Sequence, residues 1–362
     1  MDDRRPMSGL AACLIVAVAL VACNSGADPG RSTTPPMTGP AATTAPAATT
    51  VATPGASPSM SVPSPSTVGL PADDRARITG VTTIDARTRD LAIESPAVGD
   101  VTVRLLLPAR FDAEPSTRWP LLYLLHPAMG SHEFWTGSTD VAALTAATDV
   151  LVVLPDGGAW GSYADWWNAG KGGQPEWETF HLVELVQLLE RNWRAGDRRA
   201  VAGASMGGYG AIEYAARRPG LFVAAASFSG GLDLAGGHPF LARLMAAFGE
   251  DIAPIWGDPV AQADIVRARD PTSLAAGLRG TALFVSFGDG QRGPLEPAAP
   301  QDLDPTGEIE AEMASQARSF VEQLDRLAIP VTVDAYAGRH NVPYWERALH
   351  RSLPLLLQAL GV

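Results

Sequence analysis

The sequence predicts an α/β fold in which a mostly parallel central sheet is flanked by helices. Three observations carry this expectation. Apolar runs of strand length alternate with stretches of helical periodicity along most of the chain. Several of those runs, 119–126 (WPLLYLLH) above all, are apolar at nearly every position, as in strands covered on both faces. The stretch Gly203-Ala204-Ser205-Met206-Gly207 lies between a short apolar run, 199–202, and a helix-like segment, 208–218, that Pro219-Gly220 stops.

The N-terminal part does not belong to this pattern. Residues 1–22 carry Arg4 and Arg5 and then the apolar run 10–22, which is short for a membrane span and reads as a signal peptide. The run ends Leu20-Val21-Ala22-Cys23, which resembles the lipobox of bacterial lipoproteins. That resemblance implies cleavage before Cys23, lipidation of its thiol, and a domain anchored to the membrane on its outer face. Residues 23–71 are rich in Pro, Thr, Ala and Ser with almost no charge, a composition that cannot bury enough surface to order itself; they read as a disordered tether. The remainder, 72–362, is the right size for one α/β domain.

Within that domain the elements follow in order. Residues 101–108, 119–126 and 150–155 read as strands, the first and third closed by proline. Residues 177–193 have helical spacing, with Phe180, Leu182, Val183, Val186, Leu188 and Leu189 on one face. Then come strand 199–202 and helix 208–218, strands 222–228, 281–287 and 329–336, and an amphipathic helix over 308–327. The segment 232–278 is irregular and reads as a cap or insertion over the site. Residues 345–360 read as a closing helix that Pro354 should bend or interrupt.

Composition excludes several functions. The chain of 362 residues has 27 Lys plus Arg against 39 Asp plus Glu, a net charge of −12, which argues against nucleic acid as a partner. Of its two cysteines, Cys13 lies inside the signal segment, so the mature chain has no cysteine pair for a disulfide. The histidines lack metal-ligand spacing and no phosphate-cradling loop is present, so neither metal nor cofactor is expected.

The chemistry is expected at the Gly-Ala-Ser-Met-Gly stretch. A serine at the tip of a strand-to-helix turn is held in a strained conformation, and side chains two residues either side would collide with neighbouring chain, which accounts for Gly203 and Gly207. The turn exposes the Ser205 hydroxyl beside the first N–H groups of a helix, a setting suited to a developing oxyanion. Met206, which follows the nucleophile, is the expected first donor. The second comes from His126-Pro127-Ala128-Met129-Gly130; Pro127 has no N–H, which leaves Ala128 or, alternatively, Met129. The histidines of the domain are His126, His132, His181, His238, His340 and His350. In the chain order serine, acid, histidine, only His340 and His350 lie late enough, and His340 follows the last strand, whereas His350 falls within the closing helix. The acid should follow strand 281–287, where Asp289 and Glu296 both qualify and Asp302 and Asp304 lie farther on. Trp160, Trp166 and Trp167 form an aromatic loop that lines an acyl or sugar site or packs in the core.

Together these motifs resemble the esterase D / antigen 85 mycolyltransferase family of α/β-hydrolases. The resemblance rests on 124–126 (LLH), 163–167 (YADWW), 177–180 (WETF), 203–210 (GASMGGYG), 288–290 (GDG) and 340–345 (HNVPYW), and covers nearly the whole domain. It implies an α/β-hydrolase fold with Ser205 as nucleophile and His340 as base. The family's acid is a glutamate shortly after a Gly-x-Gly turn that follows the penultimate strand, which favours Glu296 over Asp289. A tryptophan two residues past the histidine is replaced here by Val342. The expected function is a serine esterase or acyltransferase acting at the cell envelope on an ester or acyl-lipid substrate, with a sugar as candidate acceptor. A peptidase or thioesterase would use the same triad. The alternative is a non-catalytic envelope-binding lipoprotein on the same fold, which would have no use for a Ser205/His340 pair.

Overall fold

The structure, a computed structural model, describes residues 69–298 and 301–362. The expected signal segment, Cys23 and the tether up to residue 68 lie outside the described residues. Nine strands form one sheet: β1 (Arg77–Thr83), β2 (Thr88–Ser95), β3 (Gly99–Leu106), β4 (Trp119–Leu125), β5 (Leu151–Pro155), β6 (Ala195–Ala204), β7 (Ala224–Phe228), β8 (Ala282–Gly288) and β9 (Thr332–Tyr336). Their spatial order is β1-β2-β3-β5-β4-β6-β7-β8-β9. The pairings from β1 to β5 are antiparallel, and all those from β5 through β4 to β9 are parallel. The β1–β2 hairpin is absent from the sequence reading. Its buried residues, such as Ile78, Leu91 and Ile93, are separated by half-buried or exposed ones, so no continuous apolar run marks it.

Five longer helices matter for the site: α1 (Leu185–Asn192), α2 (Met206–Arg217), α3 (Leu234–Ala247), α4 (Glu308–Arg326) and α5 (Val342–Leu360). Alternation along each strand sorts the core into two layers. Leu121, Tyr123 and Leu125 of β4 join Leu188, Ile212 and Phe320, so α1, α2 and α4 cover one face. Leu122 and Leu124 join Trp345, Leu349 and Leu356, so α5 covers the other.

Two helical expectations change. Residues 177–193 are not one regular helix: the π-helical turn Phe180–Glu184 lies between a short α turn and α1. The wider turn shifts the phase of the apolar stripe, so Val183 is 38% exposed while His181 and Glu184 are buried. α5 runs uninterrupted through Pro354. Pro354 and His350, whose carbonyl loses its i+4 donor, are both exposed, so the missing bond falls on the solvent side.

The segment 232–278 forms α3, three short α-helices, Ala253–Trp256, Ala263–Arg267 and Pro271–Leu274, and a 3-10 turn, Ala275–Leu278. Leu234, Met245 and Trp256 pack with Tyr209 of α2 in a separate small core. A buried ion cluster fastens this cap to α2. Arg269 pairs with Glu178 and lies 3.0 Å from Glu213 of α2, and the Tyr209 hydroxyl donates to the Arg269 carbonyl at 2.9 Å. Among the described residues no helix is long and apolar enough to cross a membrane.

His181 ties the π turn to the strand-end loop after β5. Its Nε2–H donates to the Asp156 carbonyl and its Nδ1 accepts from the Tyr214 hydroxyl, both at 2.8 Å. Burial pushes this imidazole down to about 4. The folded value lies below the ordinary one of about 6.5, so the folded state rejects the proton that the unfolded chain accepts. The stability His181 contributes is therefore complete above about pH 6.5 and lost as pH falls toward 4. Urea denaturation of His181→Gln should show a shallower loss of stability between pH 6.5 and 4 than the parent; identical slopes would contradict this account.

Candidate active site

The site begins where β6 ends. Ser205 has φ 54° and ψ −118°, a conformation in which a non-glycine residue is strained. The strain is held by backbone bonds on both sides: Ser205 N–H donates to the Phe228 carbonyl at 2.8 Å, and Ser205 C=O accepts from Tyr209 N–H at 3.0 Å. The flanking glycines are demanded by close approach. A Cβ on Gly203 would lie 2.3 Å from the Gly207 carbonyl oxygen, and one on Gly207 would lie 2.3 Å from that of Leu125.

His340 reaches Ser205 from the loop after β9. Its Nε2 lies 2.9 Å from Ser205 Oγ, and Trp345 packs edge-on against the imidazole at 5.0 Å. The ring's other nitrogen, Nδ1, lies 2.7 Å from Glu310 Oε2. The neighbouring carboxylate is therefore Glu310, in the first turn of α4, and not Glu296 or Asp289. Glu310 is fully buried. Its Oε1 accepts from the Ser229 hydroxyl at 2.8 Å and from the Gly288 N–H.

The other candidate acids have structural partners of their own. Glu296 accepts from Gly293 N–H at 3.0 Å, the Tyr344 hydroxyl at 3.2 Å and Asn341 Nδ2 at 3.2 Å. Asp289 shapes its turn, accepting from Gln291 N–H at 2.9 Å and Gly338 N–H at 3.2 Å. Asp302 accepts from Asn341 Nδ2 at 3.0 Å. Asp304 is buried and takes the first N–H groups of α4, Glu310 N–H at 3.0 Å and Ile309 N–H at 3.3 Å. A signal for Glu310 was present: it sits three, four and seven residues before the buried Met313, Ala314 and Ala317, so a carboxylate occupies the core stripe of an amphipathic helix.

The expected oxyanion donors divide. Met206 is the first residue of α2, where an N–H has no intrahelical acceptor. Met129 N–H is already used, donating to the Ala159 carbonyl at 2.7 Å, which removes it as a donor. Ala128 N–H has no hydrogen-bond partner among the described residues, and Ala128 lines the same cavity as Ser205 and Met206. His126 fixes this loop. Its Nε2 accepts from Gly157 N–H at 2.8 Å, so the proton is on Nδ1, which donates to the Pro127 carbonyl at 2.8 Å.

In front of Ser205 lies a cavity of about 80 Å³, walled by α3 and the cap on one side and α4 on the other. Trp160 lines it, and both Trp160 and Trp166 pack beside the cap's small core. Two groupings of three potential metal ligands occur among the described residues, neither at this cavity. In one, Arg104 grips Asp90 with two bonds of 2.7 Å. In the other, His350 already bonds Asp140 at 2.8 Å.

Known proteins match this chain over most of the described domain. The sequence profile of the Esterase family matches residues 96–356. Esterase Rv1288 of Mycobacterium tuberculosis is 31% identical over 266 residues, which cover 71% of this chain and 56% of that protein. The chain thus spans little more than half the length of that relative. Diacylglycerol acyltransferase/mycolyltransferase Ag85B of Mycobacterium intracellulare is 30% identical over 271 residues, covering 67% of this chain and 76% of that one. Among solved structures, MPT51 of Mycobacterium tuberculosis superposes with a TM-score of 0.64 at 26% identity over 76% of this chain and all of that one. A ferulic acid esterase shares the fold, with a TM-score of 0.59 at 20% identity over 75% of this chain and 98% of its own.

The turn at Ser205 has no slack at Gly207, whose added methyl would press on the carbonyls of Leu125 and His126, both backbone atoms. Gly207→Ala should lower unfolding free energy by about 1–3 kcal/mol, as overpacking does, in chemical denaturation. An unchanged midpoint would show that the turn yields.

Proposed function

Because this chain belongs to the Esterase family, we propose that it is a serine esterase or acyltransferase that works on carboxylic esters through an acyl-enzyme. One observation carries the reading: a single imidazole lies 2.9 Å from the Ser205 hydroxyl and 2.7 Å from a buried carboxylate.

The steps follow from those contacts. His340 Nε2 takes the proton of Ser205 Oγ as the oxygen attacks the ester carbonyl. Glu310 accepts Nδ1–H, which fixes the tautomer that leaves Nε2 free to act as base, and it stabilises the imidazolium that forms. The N–H groups of Met206 and Ala128 stabilise the oxyanion. His340 then returns the proton to the leaving alkoxide. Water or an acceptor hydroxyl, deprotonated by the same nitrogen, attacks the acyl-enzyme and frees Ser205. An ester or acyl-lipid is the substrate class, and a sugar hydroxyl is a candidate acceptor.

For location, the apolar run 10–22 and its Leu20-Val21-Ala22-Cys23 end support export and lipid attachment at Cys23. Residues 23–71 then serve as a tether and 72–362 as the enzyme domain. Intact mass of the mature protein should show a chain beginning at acylated Cys23; an unmodified start elsewhere would remove the anchor.

The triad is tested with a fluorophosphonate probe and p-nitrophenyl esters. Ser205→Ala should lose both labelling and turnover. Glu310→Gln should lower kcat about 10²–10⁴-fold, because the amide cannot hold the imidazole in the required tautomer. Glu296→Gln should stay within a few-fold of the parent. Equal losses in the two glutamate variants would refute Glu310 as the triad acid, and labelling that persists in Ser205→Ala would refute the nucleophile.

A further inference from the structure

A second cavity, of about 150 Å³, lies beside the one that opens on Ser205, between α3 and the segment leading into α4. The two share two lining residues, Leu244 of α3 and Ile309 of α4. Both side chains are half-buried, as expected of a partition with empty space on either side. On the Ser205 side the walls are apolar, built by residues such as Leu241, Met245, Trp256 and Met313. Among the described residues no charged side chain lines that cavity. The amide of Gln316, at its edge, is already engaged: Nε2 donates to Glu312 at 2.9 Å and Oε1 accepts from Asp233 N–H at 3.4 Å. Trp256 Nε1 on this lining is buried without a partner among the described residues, but the side chains around it are mostly apolar, so the space suits an aliphatic chain.

We propose that Leu244 and Ile309 form the wall that sets acyl-chain length, and that the enzyme's substrates are esters of short fatty acids. The inference rests on the serine-esterase reading of the same site. About 10–15 Å³ on this scale holds one water-sized group, so 80 Å³ holds roughly six non-hydrogen atoms, an acyl chain of about four to six carbons. Beyond that length the chain meets the Leu244–Ile309 wall. Behind the wall the second cavity offers further room, bounded by Phe240 and Leu303 and, toward its rim, by Arg243, Asp304 and Glu308. Removing the wall should join the two spaces into one groove that runs from Ser205 along α3. Ile309 immediately precedes Glu310, so the turn of α4 that carries the acid also carries half of the wall.

The test is a series of p-nitrophenyl esters from two to sixteen carbons, with active sites counted by fluorophosphonate labelling. In the parent, kcat/KM should rise about fourfold for each methylene that enters the apolar cavity and fall past about six carbons. In Leu244→Ala/Ile309→Ala the optimum should move to ten or twelve carbons, raising the ratio of twelve-carbon to four-carbon kcat/KM at least tenfold. Each single variant should shift it part of the way. Adding Ala247→Phe, which refills the second cavity, should return the optimum to the parent's. An unmoved optimum in the labelled double variant overturns the wall, as does a parent that prefers twelve carbons or more. Variants that lose turnover of every ester while the parent stays active also count against it, because the two residues would then do more than divide space. If the parent itself turns over no ester in the series, the esterase reading fails, and the wall with it.

Discussion

The structure depends on one strained residue. Ser205 is held at φ 54° only because its neighbours leave the backbone no alternative. Its N–H is bonded to β7, its carbonyl to the first turn of α2, and the glycines on either side press against the backbone of the turn and of β4. That arrangement needs β6 to lie between β4 and β7, which is its place in the sheet. It also needs α2 to pack close. Gly210 permits this, since a Cβ there would lie 2.6 Å from the Tyr163 ring. The parallel half of the sheet is therefore a jig for one hydroxyl, and the antiparallel strands β1 to β3 extend its edge away from the site.

The acid reaches the imidazole by an indirect route. Chain leaving β8 passes through Asp289, Glu296 and Asp302 before turning into α4. Each of those carboxylates holds a local turn, a loop or the buried Asn341. At the first turn of α4 a carboxylate reaches the imidazole, and the buried Asp304 anchors that turn by taking two of its free N–H groups. A helix positions a side chain more firmly than a loop does. The Ser229 and Tyr336 hydroxyls, the Gly288 N–H and the imidazole together fix the orientation of Glu310 before any substrate arrives.

Legibility in the sequence followed the range of each interaction. The strands of the buried half announce themselves because both faces are covered and nearly every position is apolar. The turn at Ser205 is legible because its sequence mark, glycines on either side of a serine between a strand and a helix, lies within five residues. The β1–β2 hairpin is not, since alternation with few large apolar residues resembles a loop. Val183 was misassigned because a π turn is set by packing and leaves no local mark. Glu310 was missed for a related reason: distance along the chain pointed to the nearest glutamate after β8, whereas the fold selects by direction. The periodicity of α4 held the clue, an acid in register with Met313, Ala314 and Phe320. Nothing local distinguishes Ala128 from Met129; the difference is set by the Ala159 carbonyl, thirty residues farther along the chain, which takes the Met129 N–H.

The same logic of direction explains the buried His126. In a trans peptide the carbonyl and the N–H point to opposite sides. Pro127 C=O accepts from His126 Nδ1–H at 2.8 Å and from Gly130 N–H at 3.0 Å. The Ala128 N–H shares that peptide plane, so it must point away from both donors. A side chain one residue past the end of β4 thus sets the direction of an amide it never touches. The proton needed on Nδ1 is guaranteed from behind, where Gly157 N–H donates to Nε2 and leaves that nitrogen only the acceptor role. Two histidines in this domain therefore do opposite work with the same ring. His126 is held by backbone groups on both sides of its ring. His340 has one nitrogen committed to Glu310 and the other facing a hydroxyl that is free to react.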